Sequence, residues 1–186
     1  MQLRIFNEQE KNFFSGQIYN LLKEYDNDFI PPLSKRSSTT QTKFNESNFS
    51  GDVKLYFEQM IKQNVLGIFE QNEFIGFISY RENYISKEID DTNLPNIYVS
   101  TILIKKEVRG RGIITKAYEK LTKNLFKKHS VFTRTWSTNF SHIKVLDKNG
   151  FECFLIIKDD RGQGIDTVYY RKTNKKSTWK GALSFL

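Results

Sequence analysis

The segment Arg109-Gly110-Arg111-Gly112-Ile113-Ile114-Thr115 is the part of this chain best suited to hold an anion. Glycines at 110 and 112 allow positive φ and a close approach of backbone to a ligand. A β-rich run ends just before them and an amphipathic helical pattern begins just after, so the unpaired first-turn amides of that helix would point at whatever sits on the turn. An ordinary tight turn with one glycine for the bend would look similar. The segment is not a Walker loop, because no Gly-Lys-Ser/Thr follows, and it does not read Gly-x-Gly-x-x-Gly. A second place for chemistry is His142, three residues after Asn139 and four before Leu146, which puts the three on one face of a short helix. An ordinary imidazole pKa of about 6.5 suits proton exchange at neutral pH, and a histidine acting as proton donor would give a rate that falls above its pKa. Contact with phosphate or backbone is the plainer use of such a residue. The single cysteine, Cys153, lies in the apolar run 151–157 and reads as a small core residue, not a nucleophile.

The elements that must position these groups can be read from periodicity. Residues 3–6 form a short possible strand, and 8–25 carries Phe13, Ile18, Leu21 and Leu22 at roughly helical spacing. The stretch 26–50, with Pro31, Pro32 and a Ser/Thr cluster, reads as a long loop. Ser50 or Asp52 can cap a second helix with Val53, Tyr56, Phe57, Met60 and Ile61 on its apolar face. A hairpin of 65–69 and 74–80 follows, then a third strand at 97–104 and a helix at 113–128. That helix places Ile114, Ala117, Tyr118, Leu121 and Leu125 on one face and Lys116, Lys120, Lys123 and Lys127 on the other. A strand at 131–136, a short helix at 139–148 closed by Gly150, and a terminal hairpin of 151–157 and 166–171 complete the order. This pattern predicts an α+β domain, with a mainly antiparallel central sheet of six to seven strands flanked by about four helices. One domain is expected over 1–172, with 173–186 as a tail or added segment.

Composition narrows the class. The chain has 186 residues, 38% of them apolar, enough to bury one core, and no apolar run approaches the roughly 20 residues that cross a bilayer. The N-terminus turns charged too soon for a secretory signal, so a cytoplasmic protein is expected. The net charge of +8 is concentrated: residues 105–128 hold nine Lys or Arg against Glu107 and Glu119. A compact cationic segment suits one polyanionic ligand better than a long nucleic-acid track.

Two segments carry a resemblance to a known family. Arg109-Gly110-Arg111-Gly112-Ile113 resembles the Arg/Gln-x-x-Gly-x-Gly/Ala signature of the GNAT N-acetyltransferase superfamily. Asn139-Phe-Ser-His-Ile-Lys-Val-Leu-Asp-Lys-Asn-Gly150-Phe151 resembles that family's Asn-x-x-Ala-x-x-Leu-Tyr-x-Lys-x-Gly-Phe at the same spacing. The resemblance is strong over 97–171, whereas the part before Val65 matches only in its two-helix layout. It implies a GNAT-like fold and acetyl-coenzyme A as cofactor. By the same resemblance the amides of Gly110, Arg111, Gly112, Ile113, Ile114 and Thr115 hold the pyrophosphate, with Arg109 at the first signature position and Arg111 and Lys116 adding charge. Backbone groups of Leu103 and Ile104 then pair with the pantetheine arm, and Asn139 bonds it from the other side, unless Asn139 serves only as a helix N-cap.

The match is incomplete in three places. Ile114 stands where the signature prefers Gly or Ala, so its side chain must turn toward the core. Leu146 stands where many members carry a Tyr that protonates the departing thiolate, and Ser100 and Thr101 occupy positions where members often place a catalytic carboxylate. His142 is therefore the candidate donor to the thiolate, Ser100 or Thr101 could orient a water, and Asp166 could accept a proton from the amine. Glu82, Glu88, Asp90 and Asp91 read as solvated, and Trp136 as core. The implied activity is transfer of acetyl to an amine acceptor by direct attack. A non-catalytic acyl-CoA-binding domain and a member acetylating a tRNA-linked amine stay open as alternatives. A small-molecule or peptide acceptor is favoured over tRNA, no membrane partner is expected, and the oligomeric state is open, a homodimer included.

Overall fold

Short runs of β-branched and aromatic residues join into one sheet in the computed structural model, which describes residues 1–44 and 52–173. The strands are β1 (Gln2–Ile5), β2 (Asn64–Glu70), β3 (Glu73–Glu82), β4 (Asn96–Ile104), β5 (Ser130–Trp136), β6 (Glu152–Ile157) and β7 (Thr167–Lys172). Their spatial order is β1-β2-β3-β4-β5-β7-β6. Every pairing is antiparallel except β4 with β5. Among the described residues four α-helices flank the sheet: α1 (Glu8–Glu24), α2 (Lys54–Ile61), α3 (Ile113–Lys120) and α4 (Phe140–Lys148). The α+β architecture expected from the sequence is the one observed. Among the described residues no helix is long and apolar enough to cross a membrane. The expected cap Ser50 and residues 174–186 of the tail lie outside the described residues.

Each face of the sheet carries its own core. Leu66, Ile78, Ile97, Val99 and Val131 pack with Ile113, Ala117, Tyr118 and Leu146 from α3 and α4. On the opposite face Val65, Phe77 and Leu103 pack with Ile18, Leu22, Tyr56 and Met60 from α1 and α2. The strand period of two assigns residues to faces, and in β4 that assignment changes midway. Ile97 and Val99 face α3, yet beyond them it is Ile104 that does so, while Leu103 faces α1. The register explains the change, because Ser79 pairs with Thr101 and Tyr80 with Val99, leaving Ser100 as the extra residue of a β-bulge.

Local chemistry accounts for the element boundaries. At the start of α1 the Asn7 side chain accepts from the Glu10 amide at 2.9 Å and the Glu10 carboxylate accepts from the Asn7 amide at 3.1 Å, a reciprocal capping box. The Asp52 carboxylate accepts from the Lys54 amide at 2.8 Å where α2 begins.

Four sequence expectations need correction. Phe13 is 76% exposed, because the stripe of Phe14, Ile18, Leu21 and Leu22 takes the buried face of α1. After α3 the chain widens into a π turn over Leu121–Leu125, so Leu125 is 41% exposed and Phe126 is buried in its place. Cys153 is exposed: it lies on β6, the edge strand, at an irregular step in the pairing with β7. Trp136 is half-buried and faces the cleft described below.

Gly76 lets β3 run close against the end of β4. A Cβ there would press on the Leu103 carbonyl oxygen and lie 2.7 Å from the Ile104 Cα. Gly76→Val should destabilise the fold by about 1–3 kcal/mol or more, as overpacking does. Gly16, on the exposed side of α1 with nothing within 4 Å of an added Cβ, supplies the control. Thermal denaturation should show a clear loss of Tm for Gly76→Val and an unchanged or raised Tm for Gly16→Ala.

Candidate active site

The turn before α3 is built by its glycines. Gly110 and Gly112 have φ of 76° and 72°, a left-handed conformation that costs other residues about 1–2 kcal/mol. A Cβ on either would meet nothing within 4 Å, so the space in front of the turn is open. Gly112 occupies the N-cap position of α3 and no side chain caps that end. The first-turn amides of α3 therefore face outward without the side-chain acceptor that usually satisfies one of them.

The turn lies at one end of a cleft of about 670 Å³. Strands β4 and β5 frame it. They pair only from Asn96↔Ser130 to Val99↔Thr133, and the Thr133 hydroxyl donates to the Val99 carbonyl at 3.0 Å where the pairing stops. Beyond that point β4 residues 99–104 and β5 residues 133–136 line the cleft from either side. The β5-facing edge of β4 thus has backbone groups that no strand satisfies, a place where an extended ligand can bond.

His142 lines the cleft from α4. Its Nε2 lies 3.0 Å from the Tyr118 hydroxyl, and the two rings stack with centroids 5.8 Å apart. Burial pushes its pKa down to about 4, so the ring is neutral at pH 7. Burial likewise pushes the Tyr118 phenol up, which keeps that hydroxyl protonated. Tyr118 read as a helix-face core residue in the sequence, and only the crossing of α3 and α4 brings it to His142.

The other candidate residues fall into distinct places. Leu103, Ile104, Gly110, Gly112, Ile113, Ile114 and Thr115 line the cleft, as do Ser100, Thr101 and Asn139. Ile114 is half-buried and packs on the core beside α3. Asn139 acts as the N-cap of α4, accepting from the His142 amide at 3.3 Å while its Nδ2 donates to Thr135 Oγ1 at 3.0 Å. Ser100 donates to Gln63 Oε1 at 2.7 Å and shares a 2.8 Å hydrogen bond with Ser79, while Thr101 pairs with the Tyr56 hydroxyl at 2.7 Å. Arg109 lines the cleft, but its guanidinium lies over the Tyr25 ring and pairs with Asp28 at 2.7 Å, joining the turn to the loop after α1. The Arg111 side chain pairs with Glu70 and does not line the cleft. The Asp166 carboxylate is held by Lys158 at 2.8 Å and by the Asp159 amide, also away from the cleft lining.

Three arginines at the cleft, Arg36, Arg134 and Arg161, escaped the sequence reading. Arg134 carried a signal, since a charged residue inside the apolar strand run at 131–136 calls for a reason. Arg36 and Arg161 sit in loops and carried none.

A seven-stranded sheet parted at β4 and β5, with a glycine turn at the parting, is the architecture that comparison with known proteins then places. The sequence pattern of the Acetyltransferase (GNAT) family matches residues 18–151, and the chain belongs to that family. No curated protein matches the sequence. Among solved structures, an N-acetyltransferase from Staphylococcus aureus Mu50 superposes with a TM-score of 0.64 at 15% identity, covering 94% of this chain and 98% of its own. An aminoglycoside 6'-N-acetyltransferase complexed with coenzyme A gives 0.63 at 12% identity, covering 94% and 98%. A Salmonella typhimurium protein solved with its cofactor acetyl-CoA gives 0.59 at 16% identity, covering 98% of each chain. At these identities the likeness is one of fold.

The lowered pKa of His142 makes stability depend on pH. In the unfolded chain the imidazole takes up a proton near its ordinary value of about 6.5, whereas in the folded chain it resists protonation down to about 4. The unfolded state thus binds more protons between those values, and stability falls as pH is lowered through that window. Thermal denaturation at pH 7.5 and pH 5 should show a smaller loss of Tm for His142→Gln than for the wild type. Equal losses would mean that the ring titrates normally in the folded protein.

Proposed function

We propose that the chain is an N-acetyltransferase that takes acetyl from acetyl-coenzyme A and transfers it to a small-molecule or peptide amine by direct attack in a ternary complex. The observation that carries this reading is the open glycine turn at one end of a cleft framed by two parting strands. The amides of residues 110–115 would hold the pyrophosphate, supported by the helix dipole of α3, and the unpaired edge of Leu103 and Ile104 would bond the pantetheine arm. Bound there, acetyl-coenzyme A supplies an activated thioester that an uncharged amine attacks, with a thiolate as leaving group.

The roles left to this chain's residues follow from their partners. In the tautomer whose Nε2 accepts from the Tyr118 hydroxyl, the neutral imidazole of His142 would carry its proton on Nδ1, where it could hydrogen-bond a developing thiolate. Ser100, its hydroxyl anchored between Gln63 and Ser79, is suited to hold a water that takes the amine proton. Direct transfer is favoured over a covalent acyl-enzyme because the single cysteine is exposed on the edge strand and does not line the cleft.

Coenzyme A at 100 times its Kd should stabilise the wild type by about 2.7 kcal/mol. Gly112→Glu places bulk and negative charge at the turn, and a thermal shift unchanged in that variant would remove the pyrophosphate assignment. For His142→Ala, loss of a proton-holding group should lower kcat by about 10²-fold, with KM for acetyl-coenzyme A nearly unchanged. Because the folded histidine titrates near 4, the wild-type kcat should show no histidine limb between about pH 6 and 8, unlike the fall that an ordinary imidazolium donor would give. A variant within about threefold of wild type at saturating substrate would exclude His142 from the chemistry.

A further inference from the structure

Arg36, Arg134 and Arg161 crowd round a single ring. Their guanidinium carbons lie 5.3, 5.2 and 4.4 Å from the Phe44 centroid. Arg36 and Arg161 also meet at one oxygen, the Ile30 carbonyl, to which they donate at 3.2 and 2.5 Å. Both are nearly enclosed, 8% and 7% exposed, and Arg134 is half-buried. Three like charges in so small a space repel one another, and taking them out of water carries its own cost.

Among the described residues none of the three forms an ion pair. The acids nearest in effect are committed elsewhere: Asp26 accepts from the Ser34 amide and hydroxyl at 2.8 and 2.7 Å, and Asp160 accepts from Thr167. The protein partners they do have are neutral oxygens. Arg36 donates to Pro31 and Ile30 carbonyls, Arg134 to the Tyr169 hydroxyl and the Gln41 carbonyl, and Arg161 to Thr167 and Ile30. Each guanidinium keeps a nitrogen without a partner among the described residues, Nη1 of Arg36, Nε of Arg134 and Nη2 of Arg161. Burial, with the nearby Arg36 and Arg134, holds Arg161 down at about 9.

Their position separates them from the cofactor turn. The turn, α3 and His142 belong to the face of the sheet that packs on Val99 and Val131. The loop that carries Arg36 and Phe44 lies with Leu33 on the other face, and Arg134 points there from β5, beside Tyr169 and the Gln41 carbonyl. The cleft connects the two, since all three arginines line it. Trp136 and Phe29, their rings tilted at 54° with centroids 6.0 Å apart, line the same cleft.

We propose that the acceptor is a small amine that carries an anionic oxygen group, a carboxylate or a phosphoryl, and that Arg36, Arg134 and Arg161 bind this group on the face of the sheet opposite the glycine turn. This rests on the acetyltransferase reading and adds the substrate class to it. A planar guanidinium fork matches either group, and a bound anion would supply the paired charge that their neutral oxygen partners do not. The reaction adds no new step: the acceptor's amine forms the amide bond while its anionic group stays on the arginines.

The test uses matched acceptors with the full chain. L-amino acids are compared with their carboxamides, and O-phosphoethanolamine with ethanolamine, by thiol release from acetyl-coenzyme A and by calorimetric titration of the coenzyme A-saturated protein. At least one anionic member should exceed its neutral partner in kcat/KM, or in affinity, by about 30-fold or more. The amino-acid and phosphoethanolamine arms tell carboxylate from phosphoryl. Arg134→Gln should cut that preference by about tenfold or more, with KM for acetyl-coenzyme A within about twofold of wild type and Arg134→Lys falling between. Equal treatment of charged and neutral partners, an equal effect of Arg134→Gln on both, or no binding of any anionic member would overturn the proposal. A wild type that fails to bind coenzyme A would instead overturn the acetyltransferase reading, and the same titration of cofactor-free protein would still judge the arginines.

Discussion

Strands β4 and β5 are hydrogen-bonded over four residue pairs and then separate, and the cleft exists because they do. This is the only parallel seam among the described strands, with antiparallel ladders on both sides of it. Two local features end the pairing. The bulge at Ser100 turns β4 and changes which residues face which helix layer, and the Thr133 side chain takes the Val99 carbonyl that a continued ladder would have used. Beyond the seam, β3 still satisfies β4 and β7 still satisfies β5, so the sheet stays intact while opening a polar edge in its middle.

That opening connects two chemically different faces. On one side the glycine turn presents backbone amides and the dipole of α3, which attract anions without any side-chain charge. On the other side Arg36, Arg134 and Arg161 bring side-chain charges whose hydrogen-bond partners among the described residues are neutral oxygens. Between them the cleft also holds neutral polar groups: the hydroxyls of Ser100, Thr101 and Thr133 and the imidazole of His142.

The charge bookkeeping of the surface changes once the fold is known. The cationic run at 105–128 looked in sequence like one ligand-facing segment, yet its members diverge. Arg109 stays at the cleft but is paired with Asp28. Arg111 turns to Glu70, and Lys123 pairs with Glu119 one helical turn away. Meanwhile Lys144 and Lys148 on α4 join the cleft lining from outside that run.

The elements and the turn were legible because they depend on neighbours in sequence. Helical and strand periodicity, the Asn7 to Glu10 box, and two glycines between a strand and a helix are local patterns, and the α+β order followed from them. At Phe13, Leu125 and Cys153 local reading failed because a second buried stripe, a π turn and an edge position overrode the periodicity. What only the tertiary structure decided are the meetings of distant residues: Tyr118 with His142, Ser100 with Gln63, and Arg36, Arg134 and Arg161 round Phe44. The physical reason is that a pKa or an unpaired charge is a property of what surrounds a group. The sequence named His142 as a residue able to exchange protons, but the packing of α3 against α4 gives it a tyrosine partner and an environment that keeps it neutral.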